Sequence, residues 1–439
     1  MTDDSYKQTE TNTESGTGRL TKRRPFLRAT GAGAAGVAFA GCLGDSDSDD
    51  GTVPDTITIG TLGPSDSPLG ASIHNSVKLA VEEINADGGI AGADVEVSTK
   101  DTKDQPSTAR DVYKELTTGE NVEATVGIFG SEQLLAIMDD IAQAETVHLT
   151  SGAATPEAPA LLAENYEKYK PWFRVGPTNS TFLDDSLVTF AKERFDSMGW
   201  EKVAFIAEDF KWTEPVTEGI KERLTDEANV EVTQVIRVSE STEDFTPIYE
   251  EIENDGVDGV YTALAHIGTT ALVQWAKQQR PFGFGGIHVP TQLPSYYAAT
   301  EGAAVATFSQ TTATPTSEIT DKTVPFANAY DEAYDGFPVY SGYSSYDAVY
   351  MLKNAIEAAE SVGTDDVIAE LEAASFTGTT GTLEFYGRDH EFPHDVKYGP
   401  DLAQGVYFQW QPDSEGNGRQ RVIWNDELQE AEYMSPPWA

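Results

Sequence analysis

Two short loops carry the residue types most able to hold a ligand. Val126-Gly127-Ile128-Phe129, an apolar run, ends in Gly130-Ser131, and His148-Leu149-Thr150 ends in Ser151-Gly152-Ala153-Ala154-Thr155-Pro156-Glu157. Each is a strand-like stretch followed by small residues and the start of a helical pattern. Free backbone N–H groups and hydroxyls at such helix starts suit an anion, a carboxylate above all. Ser131 and Thr155 would serve equally as helix caps, worth about 1 kcal/mol each. Two such loops on neighbouring strands favour an anion-binding rim.

Other chemistries find little support. His390 and His394 are four apart but flank Pro393, and no third nitrogen or sulfur ligand accompanies them, so a zinc site is not expected. His74 stands on the first helix with no partner motif. There is no Gly-x-Ser-x-Gly elbow, no Walker loop and no cysteine beyond Cys42, so neither an enzyme nor a cofactor is expected. Asn179-Ser180-Thr181 fits a glycosylation sequon, although Ser180 or Thr181 capping the next helix explains it as well.

The elements that position these loops alternate between strand and helix. Ile57 to Gly92, ITIGTLGPSDSPLGASIHNSVKLAVEEINADGGIAG, encodes a strand, a Gly-Pro loop and a helix with Val77, Ala80, Val81 and Ile84 on one face. Asp87-Gly88-Gly89 ends it. Strands follow at 95–99, 124–129 and 146–149, with helices near 106–116 and 132–144 between them. A second unit repeats the order, with strands at 203–207, 230–238, 259–264 and 285–289 and helices at 181–198, from 214, around 245–252 and at 269–279. A long helix spans 343–360. The pattern predicts an α/β protein of two doubly wound parallel-sheet lobes, with loops at the carboxyl ends of the strands, where open α/β sheets bind ligands.

Composition narrows the setting. With 73 acidic and 29 basic residues the 439-residue chain has a formal net charge of −44. Nucleic acid is excluded as a partner, because phosphate binding needs basic surface. The carboxylates are spread along the whole chain, as expected of a halophilic surface that stays hydrated in molar salt. At the N-terminus, Arg23-Arg24-Pro25-Phe26-Leu27 fits a twin-arginine export signal, and the apolar stretch from Ala29 to Gly41 is too short to span a membrane comfortably. Ala38-Phe39-Ala40-Gly41-Cys42 resembles a lipoprotein cleavage box, with Cys42 as the lipid attachment point. The expected division is a leader at 1–44, an acidic flexible tether at 45–55 and the globular part thereafter.

Blocks of the chain resemble the extracellular solute-binding proteins of branched-chain amino acid ABC transporters, of haloarchaeal lipoprotein type. They are Ile59 to Gly92, VGIFGSEQ (Val126 to Gln133), LTSGAATPE (Leu149 to Glu157), FRVGPT (Phe173 to Thr178), KVAFIAEDFKW (Lys202 to Trp212) and SGYSSYDAVYMLKNAIEAAE. The resemblance implies a type I periplasmic-binding fold whose lobes are joined by three crossovers near Gly176, Ser309 and Phe385. Lobe 1 would comprise 56–176 and 310–384, and lobe 2 would comprise 177–309 and 385–439. It implies that Ser131 binds the ligand carboxylate and that the small-residue loop does the rest through the backbone carbonyl of Ala153 and through Thr155, with Ser72 bordering the ligand from the first loop.

In the second lobe the family's tyrosine positions fall on Trp212 and on Ala265-His266. Its acidic partner for a ligand ammonium falls on Ile287 or His288. Glu208 or Asp209 would then supply the missing charge. The resemblance further implies a monomer that captures an amino acid, an amide or a short carboxylate. The protein would be anchored on the extracellular face of the membrane and would serve ABC permease and ATPase subunits. A receptor of the same fold coupled to a signalling partner is the alternative.

Overall fold

Two parallel sheets arise from the apolar runs, in a computed structural model that describes residues 52–439. In the first sheet β1 (Thr56–Gly63) lies beside β2 (Asp94–Asp101) on one side and β3 (Ala124–Gly127) on the other. Then come β4 (Val147–Thr150) and β5 (Trp172–Arg174), all parallel. Ile57 and Ile59 are completely buried, as a strand covered by helices on both faces demands.

The second sheet repeats that order. Its strands are β6 (Lys202–Glu208), β7 (Glu231–Val238), β8 (Gly259–Leu264), β9 (Gly283–His288) and β10 (Phe308–Thr311), arranged β7-β6-β8-β9-β10. A small hairpin of β11 (Phe376–Thr377) and β12 (Thr382–Leu383) follows. Antiparallel β13 (Val406–Pro412) and β14 (Gly418–Trp424) then extend the second sheet beyond β10. The strand order reverses between β1 and β3 and again between β6 and β8, which opens a crevice at the carboxyl end of each sheet.

The first helix, Pro68–Ala86, buries Val77, Ala80, Val81 and Ile84 as its periodicity predicts, and Ser67 caps it by accepting the Leu69 N–H at 3.3 Å. Gly89 closes it at φ +81°, donating its N–H to Ile84 at 2.9 Å, and a Cβ there would lie 1.9 Å from the Ala93 carbonyl oxygen. The long helix Tyr340–Ala359 packs against it, so a late segment completes the first lobe.

Two boundaries differ from the sequence expectation. Phe385 and Val396 are buried in the first lobe's core, where Phe385 packs edge-on against Phe173 at 4.9 Å. The chain therefore stays with the first lobe past Phe385 and joins the second sheet only at β13. At the other end Thr52 bridges Ser361 and Val53 packs on the same core, so the folded part begins before Thr56. The twin arginines Arg23 and Arg24, Cys42 and most of the tether lie outside the described residues. Among the described residues no helix is long and apolar enough to cross a membrane.

Candidate binding site

The ends of six strands converge on one cavity of about 540 Å³, counting its opening to solvent. From the first lobe come Phe129, Gly130 and Ser131 after β3, Gly152 and Ala154 after β4, and Tyr340 at the start of its long helix. From the second come Trp212, Ala265, His266, Ile287 and Val289, while Gln310 and Thr312 stand where β10 leaves the sheet. The walls are largely apolar and aromatic with a few convergent polar groups, the usual make-up of a small-molecule site.

The two loops singled out in the sequence lie side by side at this cavity, with their parts arranged differently from the expectation. Gly130, not Ser131, occupies the N-cap, and Ser131 is the first residue of the helix Ser131–Ala144. Its Oγ accepts the N–H of Thr155 at 3.2 Å, which ties the two loops together and leaves the Ser131 O–H free to donate. Thr155 is completely buried. Its Oγ1 accepts the Glu157 N–H at 3.2 Å and its carbonyl accepts Arg174 Nη2 at 2.5 Å. Thr155 thus braces the rim from behind, and Ala153 sits in the core while its neighbour Ala154 faces the cavity. Gly152 permits this tight path, because a Cβ there would meet Ile128 O at 2.6 Å and Phe129 Cα at 2.8 Å.

Ser72 and His288 do not line the cavity. Ser72 Oγ accepts the Val339 N–H at 3.1 Å, joining the first helix to the start of the long one. His288 is completely buried behind the wall, beside Phe284 and Tyr296, and burial lowers its pKa to about 3. A Cβ on Gly268 would fall 2.1 Å from its Nε2, so the ring fills space left by that glycine. The residue that reaches the cavity is Ile287, one position earlier: alternate residues of a strand face opposite sides.

Glu208 is the organising group of the second lobe. Its carboxylate, at the end of β6, is completely buried and accepts four bonds. Trp212 Nε1 and His266 Nδ1 donate to Oε1, each at 2.8 Å. The backbone N–H groups of Ala265 and His266 donate to Oε2 at 2.9 and 2.8 Å. Burial pushes Glu208 upward, but His266 and these N–H groups outweigh it and hold the carboxyl below its usual range. Burial likewise works against a charged His266, yet Glu208, Asp104 and Glu132 raise its pKa above the ordinary value. Trp212 therefore lines the cavity without a free donor, since its indole N–H is spent on Glu208. Asp209 is held by Arg237 at 2.6 Å. Neither carboxylate is left to meet an ammonium, contrary to the expectation for Glu208 or Asp209.

The sequence of this chain matches the periplasmic binding protein family model over residues 56–416. The chain belongs to the periplasmic binding protein family. Among curated relatives, Leu/Ile/Val-binding protein homolog 6 of Brucella abortus (strain 2308) is 24% identical over 248 residues, a match covering 55% of this chain and about half, 56%, of that protein's length.

Solved structures share the fold. LivJ of Streptococcus pneumoniae, a branched-chain amino acid transporter substrate-binding protein in complex with isoleucine, superposes with a TM-score of 0.68 at 20% identity. That superposition covers 84% of this chain and 99% of LivJ. A solute-binding protein of an ABC transporter from Rhodopseudomonas palustris BisB5, in complex with 3,4-dihydroxybenzoic acid, gives 0.69 at 17% identity, covering 88% and 99%. These relatives are transport substrate-binding proteins, not enzymes.

Two further sequence readings meet this periplasmic binding protein's structure directly. Asn179 is completely buried, with its Oδ1 capping Thr181 and its Nδ2 bound to Asp395, so it is no accessible glycosylation acceptor and it, rather than Ser180 or Thr181, is the cap. His394 stacks on Phe173 at 4.0 Å and pairs with Glu372, and among the described residues no cluster of metal-ligating side chains exists.

Proposed function

We propose that this chain is the solute-capturing component of an ABC importer, and that its solute is a small organic carboxylate without an α-ammonium group. One observation carries the choice of solute: among the described residues no aspartate or glutamate lines the cavity, and Glu208 behind it is saturated by four donors. A buried ammonium left without an anion would cost several kcal/mol, so a free amino acid is disfavoured. A carboxylate finds the Ser131 hydroxyl and the helix start behind it. Known relatives span both ligand types, isoleucine in one and dihydroxybenzoate in another.

On this reading Cys42 carries the lipid anchor on the outer face of the membrane, the lobes close on the solute as a monomer, and the permease reads the closed form. A thermal-shift screen in molar salt tests the solute class with matched pairs: 4-methylpentanoate against leucine, and benzoate against benzamide. A ligand at 100 times its Kd stabilises by about 2.7 kcal/mol. The larger shift is expected from the carboxylate that lacks the amine. A larger shift from leucine would refute the reading.

A further inference from the structure

The Glu208–His266 pair contributes more than a wall to the cavity. His266 is fixed on three sides: its backbone N–H and Nδ1 bind Glu208, its ring stacks on Phe210 at 4.2 Å with an interplanar angle of 10°, and Phe129 of the first lobe meets it edge-on at 5.7 Å. An ionised carboxylate only accepts hydrogen bonds, so Nδ1 carries a proton towards Glu208. That leaves Nε2. The nearest carboxylate oxygen, Asp104 Oδ2, is 3.8 Å away, beyond hydrogen-bond distance.

His266 shares the cavity with Ser131, which stands two residues after the Phe129 that touches its ring. The resemblance places a tyrosine at this position of the second lobe, and the acidic partner of a ligand ammonium at Ile287 or His288. Here the Glu208 carboxylate lies buried behind a histidine, and the histidine, not the carboxylate, lines the cavity.

We propose that His266 is the second lobe's anion-recognising residue, its Nε2–H donating to the solute carboxylate that Ser131 holds on the first lobe, with Glu208 as the positioning residue that fixes the ring. The proposal rests on the carboxylate reading above and adds which side chain selects that group and how selection is tied to closure. One carboxylate held from both lobes bridges the cleft, so only an anionic solute draws the lobes together in this way. A neutral imidazole with its proton on Nδ1 would present a lone pair at Nε2 and repel the same solute.

The charged groups around His266 favour the protonated ring. Glu208 comes from the end of β6, Asp104 from the loop after β2, and Glu132 from the first turn of the helix Ser131–Ala144. On either side of Phe210, Lys211 is occupied by Glu157 at 3.1 Å and Glu214 at 3.3 Å, and Asp209 by Arg237. The ring thus sits among three carboxylates, and the loop that carries Asp104 also carries the exposed Lys103, which lines the same opening as Asp104, Glu132 and Phe210.

Calorimetric titration of the full chain with benzoate, 4-methylpentanoate and benzamide, from pH 5.5 to 10, tests this. Wild-type affinity for the tighter carboxylate is expected to fall roughly ten-fold or more as pH rises through the raised pKa of His266, the scale of one charge-assisted hydrogen bond. Benzamide binding should stay flat. His266→Asn should bind carboxylate roughly ten-fold more weakly at pH 6 with no pH dependence, and Glu208→Gln should move the wild-type transition to lower pH. The benzoate-to-benzamide affinity ratio is read for each variant because it does not depend on the folded fraction. A flat wild-type profile, or an unchanged ratio in His266→Asn, overturns the role of His266 while the carboxylate reading stands. If no carboxylate binds wild type, the carboxylate reading fails and this proposal fails with it.

Discussion

Arg174 and Asp395 face each other at 3.1 Å, Nη1 to Oδ2, with neither side chain exposed at all. The pair sits where the chain leaves β5 for the second lobe. The same Asp395 oxygen accepts Asn179 Nδ2 at 2.8 Å, and the other Arg174 nitrogen donates to the Thr155 carbonyl, whose own N–H binds Ser131. A continuous buried network therefore runs from the first crossover to the cavity rim. Removing one partner leaves an uncompensated buried charge, so Arg174→Leu or Asp395→Leu is expected to lower stability by about 3–5 kcal/mol. The double variant should lie closer to wild type than either single, as a double-mutant cycle in urea would reveal. Additive losses would show that the two groups do not act as a pair.

The rim itself makes a sharper prediction, because Ser131 and Gly152 act on the solute by different means. Ser131→Ala removes one donor and one acceptor while leaving the helix cap at Gly130 intact. Solute binding should weaken about ten-fold, with stability changed by about 1 kcal/mol. Gly152→Ala adds a methyl against the backbone of Ile128 and Phe129, which cannot swing aside as a flexible side chain would. It should abolish the thermal shift produced by solute and lower the melting temperature of the free protein. Intact binding by Gly152→Ala would mean that the loop has another path.

Most of the fold could be read from the sequence because its cues are local. The apolar stripe at Val77, Ala80, Val81 and Ile84 and the Gly88-Gly89 stop each report on a few adjacent residues, and both lobes are built of such units. Ser131 and His266 both line the cavity, the first singled out by its loop and the second only by the resemblance. What stayed hidden depends on long-range geometry. His288 and Ile287 differ by one residue along a strand, and only the burial of the sheet decides which of them faces the cleft. Glu208 was visible as a spare charge, but its four donors come from segments up to 58 residues away and have no signature in the chain. Phe385 belongs to the first lobe because Phe173 packs against it, a contact no periodicity announces.

Asp347 gives the stability curve a slope that one substitution should remove. It is buried on the long helix, and burial raises its pKa to about 6 although Thr379 donates its N–H and hydroxyl to it. The folded protein thus prefers the protonated form. That preference contributes fully below the unfolded pKa, near 3.8, and is lost as pH rises through about 6. Over this window wild type should lose on the order of 3 kcal/mol from this group. Asp347→Asn keeps an acceptor for the Thr379 N–H without the charge, so its urea stability should rise relative to wild type between pH 4 and pH 7. A constant difference across that range would rule out Asp347 as the titrating group.

Salt should matter more than any single residue. A net charge of −44 on 439 residues makes the folded surface repel itself wherever ions are scarce. At about 0.15 M salt the screening length is roughly 8 Å, long enough for neighbouring surface carboxylates to oppose one another, and near 1 M it falls to roughly 3 Å. Surface ion pairs such as Lys100 with Glu115 and Glu120 weaken under the same screening, but exposed pairs contribute little to begin with. Repulsion is the larger effect, so the melting temperature should climb steadily from 0.15 M to 3 M potassium chloride. The buried Arg174–Asp395 and His266–Glu208 pairs, shielded from ions, should hold their strength across that range. A melting temperature that falls with added salt would mean that the surface pairs outweigh the excess charge.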